Sequence, residues 1–158
     1  MNTPTLPQGC TNFKVRQLTR QIGQLYDTEM ARCGLKTTQY SLLSHVLKLG
    51  PIRPSELAQE MRMTPSTLTR NLQPLVAAGW VEVGAGADAR SRLVRITDSG
   101  AQKRREAQRH WKAAQLQLNE RLGLERVAAL HALIDDSLAL IGEEHETQAC
   151  GAEGEGHE

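Results

Sequence analysis

Apolar positions recur with helical spacing through the first half of the chain. Leu18, Ile22, Leu25 and Met30 predict a helix over 11–33, stopped by Gly34. A second helix follows Thr37 and runs to about Leu49, with Leu42, Leu43, Val46 and Leu47 facing inward, and Gly50-Pro51 ends it. Pro54 opens a short third helix whose inner face is Leu57, Ala58 and Met61. In the next stretch, MTPSTLTRNLQPLVAAGW, Thr64 serves as N-cap, Pro65 takes the first helical position, and Leu68, Leu72, Leu75 and Val76 form the buried stripe. Pro74 removes one hydrogen bond there and is expected to bend the last turn.

The period then changes to two. Val81 and Val83 alternate, as do Val94 and Ile96, around the polar, Gly-rich GAGADARSR, which predicts two strands joined by a long hairpin. Thr97-Asp98 caps a long polar helix to about Arg121. A last helix from about Leu124 to Ile141 carries a one-sided stripe of Val127, Leu130, Ile134, Leu138 and Ile141. That stripe is too apolar to be left wet. The fold class is mainly α with a small β-hairpin wing: a winged helix-turn-helix plus a helical dimerisation region. Its expected parts are an N-terminal arm (1–10), a first helix (11–36), a winged helix-turn-helix lobe (37–97), C-terminal helices (98–142) and a disordered acidic tail (143–158).

The fourth helix carries an unusual outer face. A solvated face is normally rich in Glu and Lys, yet here it offers Ser66, Thr67, Thr69, Arg70 and Asn71. Small side chains let a helix backbone approach a DNA groove closely, hydroxyls bond phosphates or base edges, and Arg70 can reach guanine with two donors. The hairpin adds Arg90 and Arg92 about Ser91, suited to the negative potential of a narrow minor groove, with Asp88 orienting them. Arg53, ahead of the third helix, joins this set of DNA-contacting positions.

Charge supports a polyanionic partner. The formal net charge is +1, but residues 143–158 hold six Glu and no Lys or Arg, so the preceding 142 residues carry all 19 basic groups and 12 acidic ones. No apolar run is long enough to span a bilayer, and the N-terminus lacks the pattern of a secretory signal, so a cytoplasmic protein without membrane contact is expected. The chain shows no phosphate-binding Gly loop or nucleophile elbow. GAGADAR leads into a strand rather than a helix N-terminus, which argues against catalysis.

The segments GLKTTQYSLL, PSELAQEMRMTPSTLTRNLQPLVAAGWVE and DARSRLVRITDSG, with the two closing helices, resemble the MarR (multiple antibiotic resistance repressor) family of transcriptional regulators over about residues 11–142. The resemblance implies a homodimer joined through its first and last helices. It also implies binding to pseudo-palindromic operators in double-stranded DNA, usually as a repressor. The family's recognition-helix positions fall on Ser66, Thr67, Thr69, Arg70 and Asn71, and its wing motif on Asp88, Arg90 and Arg92. This chain departs at Arg62, where the helix-turn-helix turn often carries Gly; a residue with a Cβ there calls for a strained or different turn.

The resemblance also implies a switch, by a ligand in the cleft between the two regions or by cysteine oxidation. Phe13, Arg16, Tyr40 and His45 are the candidate pocket residues, Arg16 suiting an aromatic carboxylate. Cys10 precedes the first helix, beside Thr11 and Asn12 as candidate caps and with Lys14 one turn on, the electropositive setting of a reactive thiol. Cys33 reads either as its partner in redox sensing or as packing, and Cys150 lies in the tail. The two could not bridge within one chain, because the intervening helix of about 22 residues spans about 33 Å and a disulfide needs Cα atoms within ~7 Å. The dispersed histidines show no ligand spacing, so no metal and no cofactor are expected.

Overall fold

The computed structural model describes residues 8–86 and 92–151, with side chains through Gly142. The helices are α1 (Thr11–Met30), α2 (Thr37–Leu49), α3 (Pro54–Glu60), α4 (Pro65–Ala77), α5 (Asp98–Leu122) and α6 (Leu124–Gly151), and the strands are β1 (Val81–Ala85) and β2 (Arg92–Ile96). A 3-10 turn, Ala31–Cys33, continues α1 and ends at Gly34 in the left-handed region. The chain divides into two compact units, Met1–Gln115 and Leu116–Glu158.

The core of the first unit is aliphatic. Met30, Leu42, Leu43, Val46, Leu57, Leu68, Leu75, Val81 and Val94 are almost wholly buried. They come from the end of α1, from α2, α3 and α4, and from both strands. β1 and β2 pair antiparallel with Val81 opposite Ile96 and Val83 opposite Val94, as the alternation predicts. Ile52, in the α2–α3 connection, exchanges two backbone hydrogen bonds with Val94 (3.2 and 2.8 Å), so the hairpin is stitched to the start of the helix-turn-helix. Tyr26, Tyr40 and Trp111 form an aromatic cluster, with ring centroids 6.4 and 6.2 Å from Trp111. Burial pushes the Tyr26 phenol up from its ordinary value, and its hydroxyl donates to Gln115 Oε1.

Several expectations need correction. Leu47 and Val76 are 42% and 41% exposed rather than inward. Each stands on the flank of its helix's stripe, while Leu43 and Leu75 hold the centre. Leu18 is exposed, and Ile22 and Leu25 are half-buried, so only the end of α1 enters the core. Strand pairing reaches Ala85 opposite Arg92, which shortens the predicted loop at both ends. α6 runs to Gly151 instead of ending near Ile141, because 143–150 contain neither Gly nor Pro to break it. The segment 143–151, assigned to a disordered tail, is therefore helical; 152–158 lie outside the described residues.

The second unit is open on one side. Gly123 turns the chain from α5 into α6, and Val127 is buried just beyond it. Leu133, Ile134, Leu138, Leu140 and Ile141 all stand exposed. Among the described residues, no helix is long and apolar enough to cross a membrane.

Candidate nucleic-acid interface

The turn between α3 and α4 fixes the candidate recognition helix. Arg62 N donates to Gln59 O (2.9 Å) and Met63 N to Ala58 O (2.8 Å), the paired bonds of a Schellman turn. Arg62 occupies its left-handed position at φ 49°, so the departure foreseen in the sequence is a real strain on a residue with a Cβ. α4 ends in the same motif, Gly79 N donating to Val76 O and Trp80 N to Leu75 O, but there the left-handed position holds Gly at φ 71°.

Thr64 is the N-cap of α4, its Oγ1 accepting from Thr67 N at 3.3 Å. The same hydroxyl bonds Ser66 Oγ (3.1 Å) and Thr67 Oγ1 (2.9 Å). Thr69 Oγ1 donates back to Pro65 O at 2.9 Å. The hydroxyls thus tie down the front of the helix while staying exposed, with lone pairs left for an incoming donor. Asn71 is half-buried and donates to Met63 Sδ at 3.7 Å, which ties it to the turn. Arg70 stands out: it is exposed and, among the described residues, no carboxylate pairs with it. It is the long donor of this face.

Arg53 is exposed at the N-cap of α3, where Glu56 Oε2 reaches back to its backbone N–H at 3.4 Å. On the hairpin, Arg92 is exposed at the first residue of β2, opposite Ala85, and so sits at the strand end rather than in the loop. Asp88, Arg90 and Ser91 lie outside the described residues. Arg95, which sequence reasoning passed over, lies opposite Glu82, with Nη1 3.4 Å from where a Cβ on Gly84 would stand. The alternation that placed Val94 and Ile96 inward already puts Arg95 on the outer face of the wing.

The lobe is joined firmly to α5. Thr97 Oγ1 and Ser99 Oγ both donate to Gly79 O (2.7 and 3.0 Å), and Thr97 Oγ1 accepts from Gly100 N as the helix cap. A Cβ at Gly100 would lie 1.9 Å from Trp80 O, so only glycine lets α5 start this close to the end of α4. Further along, Arg104 donates to Ser44 Oγ and Gln108 Oε1 and covers the Tyr40 ring. Lys103 pairs with Glu106 at 3.1 Å and lies over Trp80. The contacts to Gly79, Ser44, Tyr40 and Trp80 are tertiary, and only the TDSG cap gave a sequence signal here.

The four candidate effector residues stand on α1 and α2. Phe13 and Arg16 are exposed near the start of α1. Tyr40 is buried against Trp111. His45 is half-buried with Nδ1 2.8 Å from Ser41 O of its own helix. The cavity of about 750 Å³ along α5 is lined by Gln102, Arg105, Glu106, Arg109 and His110, and by none of the four. Cys10 is exposed and is itself the N-cap of α1, with Lys14 N donating to its carbonyl, so neither Thr11 nor Asn12 caps the helix. Cys33 is buried and its thiol donates to Met30 O at 3.1 Å, the bond of a packed residue. Among the described residues, no cluster of His, Cys, Asp or Glu could hold a metal ion.

A model of the MarR family matches residues 34–91, the segment from Gly34 through α2, α3, α4 and β1 and ending just before β2. In sequence, the chain is similar to YwoH of Bacillus subtilis, described as an uncharacterised HTH-type transcriptional regulator. The two are 28% identical over 90 residues, and the chain spans just under two thirds (66%) of that relative's length and 57% of its own. Among solved structures, it is similar to the transcriptional regulator MosR of M. tuberculosis in complex with DNA: 31% identity over 84% of this chain and 98% of that one, TM-score 0.71. A mutant MarR of E. coli complexed with operator DNA shares the fold, with a TM-score of 0.74 over 80% of this chain and 92% of that one at 24% identity.

Proposed function

The chain belongs to the MarR family of transcriptional regulators, and from that premise we propose that it binds a pseudo-palindromic DNA operator as a homodimer and acts as a repressor. The observation that carries this reading is the outer face of α4. Its first turns expose small hydroxyl side chains and Arg70, on a helix held at both ends by Schellman turns and braced by the hairpin. Such a face fits a major groove, with Arg70 as the base-reading donor and Arg92 of the wing, beside Arg90, as the minor-groove contact. The apolar side chains left bare on α6, and Phe13, Val15 and Leu18 on α1, support pairing with a second copy. A two-fold dimer places two recognition helices on one side of the duplex, with half-sites about one helical turn apart.

We infer further that a small-molecule effector releases the operator. Family membership supports this, although Tyr40 is taken up by packing rather than offered to a ligand. A second reading, oxidation at Cys10, is favoured by the exposure of that thiol at a helix N-terminus. A partner at the buried Cys33 is not.

The test is selection of bound fragments from the source genome, followed by anisotropy titration of the enriched duplex and a compound screen for release. Enrichment of a two-fold symmetric sequence bound at least 10³-fold tighter than random duplex is the expected result. A library returned without enrichment contradicts the reading. For the Cys10 alternative, peroxide should abolish binding by wild type and spare Cys10→Ser; equal responses would exclude that thiol.

A further inference from the structure

The turn ahead of α4 holds a residue that its backbone disfavours. Arg62 sits at φ 49°, a conformation that glycine enters freely and asparagine tolerates. The corresponding position after α4 holds Gly79 at φ 71°, so the same lobe relaxes one Schellman turn and strains the other. Strain of this kind is kept where a side chain serves a purpose that stability does not reward. Arg62 is exposed, and among the described residues no ion pair includes it. Glu60, two residues earlier, is exposed as well and does not pair with it. The charge is therefore not spent on holding the turn together.

Its place in the chain gives that charge a use. Met63, the next residue, is tied to Asn71 of α4, and Thr64 caps the same helix, so the turn moves with the helix it precedes. Arg62, Thr64, Ser66 and Thr67 are all exposed, a cation ahead of three hydroxyls at the front of α4. Resting on the operator-binding reading above, we propose that Arg62 is a phosphate anchor, a contact to the DNA backbone flanking the bases that α4 reads. A guanidinium suits this task because it stays charged and can meet two phosphate oxygens at once. Phosphate contacts fix register and orientation and carry no base information, so Arg62 and Arg70 divide the work: one holds the helix on the duplex and the other reads it. Glycine at position 62 would relax the turn and lose the anchor.

The test uses Arg62→Asn, which tolerates the left-handed turn and lacks the charge, beside Arg62→Lys and Arg62→Gly. Anisotropy titrations of the full chain run over a salt series, on the selected operator and on a random-sequence duplex. Arg62→Asn should weaken both duplexes alike, about five- to tenfold at ~50 mM salt. The slope of log affinity against log salt should become shallower by about one, with base preferences unchanged. Arg62→Lys should keep the wild-type slope. Arg62→Gly should bind as weakly as the Asn variant while raising the midpoint of urea denaturation, so that affinity and stability move in opposite directions. An Asn variant with wild-type affinity and slope would overturn the proposal while leaving the operator reading intact. So would a Lys variant as weak as the Asn one, since the loss would then come from the turn and not from the charge. A Gly variant no more stable than wild type would show that the turn stores no strain, and the inference would fall with it. Failure of the wild type to bind any duplex would remove the operator reading, and this inference as well.

Discussion

The winged-helix lobe and the α6 region use the same aliphatic residues to opposite ends. In the lobe, Leu43, Leu57, Leu68 and Leu75 are at most 1% exposed, because α2, α3, α4 and the hairpin cover one another. On α6, Leu133, Ile134 and Leu138 are 64%, 43% and 43% exposed, and Leu140 is more exposed still. Among the described residues, one core is thus completed internally and these α6 side chains are left bare. A lobe that is finished alone can be rigid enough to present a face to DNA, whereas an open apolar stripe is suited to a second copy.

Breaking each side separately gives the sharpest contrast. Placing charge in the open stripe, with Ile134→Glu and Leu138→Glu together, should convert a dimer into a monomer at micromolar concentration in sedimentation velocity. Operator binding should fall at least 100-fold, since one half-site alone remains. A sedimentation coefficient unchanged by the double substitution would show that the stripe is not the dimer surface. Truncating the closed core should act differently. Leu75→Ala is expected to cost about 2–5 kcal/mol in urea melts through the cavity it leaves, with the oligomeric state of the folded fraction unchanged. A loss under ~1 kcal/mol would mean that this core is far looser than its burial implies.

A finer comparison lies within the lobe, between its two Schellman turns. Arg62 and Gly79 occupy the same left-handed position after α3 and α4. Arg62→Gly relieves a left-handed cost of roughly 1–2 kcal/mol and forfeits part of it to glycine's chain entropy, so it should stabilise by about 0.5–1 kcal/mol. Gly79→Ala should destabilise by about 1 kcal/mol for the mirror reason. If both substitutions proved neutral in chemical denaturation, the left-handed geometry at these turns would be wrong.

Much of the lobe was legible in its sequence because local chemistry and tertiary role coincide there. Thr64-Pro65 is a cap signal, and Leu68, Leu72 and Leu75 stay on one stripe in the fold. The strained turn at Arg62 was legible only against the family pattern, since no local rule marks a position where Gly is missing. What escaped depends on contacts across the chain. Val76 and Leu47 lie on stripe flanks, where periodicity does not tell buried from bare. The requirement for Gly at 100 comes from the Trp80 carbonyl, far away in sequence. Asn71 reads as a free polar group until Met63 is found beside it. Cys10 was missed as the N-cap of α1 because Thr11 and Asn12 are better capping residues by chemistry.

The central claim, that the outer face of α4 reads DNA, is tested most directly by Arg70→Ala against the selected operator. Titrations would use the wild-type duplex and a panel carrying each single base-pair change in one half-site. The account predicts that the substitution costs roughly 1–3 kcal/mol on the intact operator and abolishes discrimination at one base pair per half-site, leaving the others unchanged. Affinities and base preferences identical to those of the wild type would contradict it.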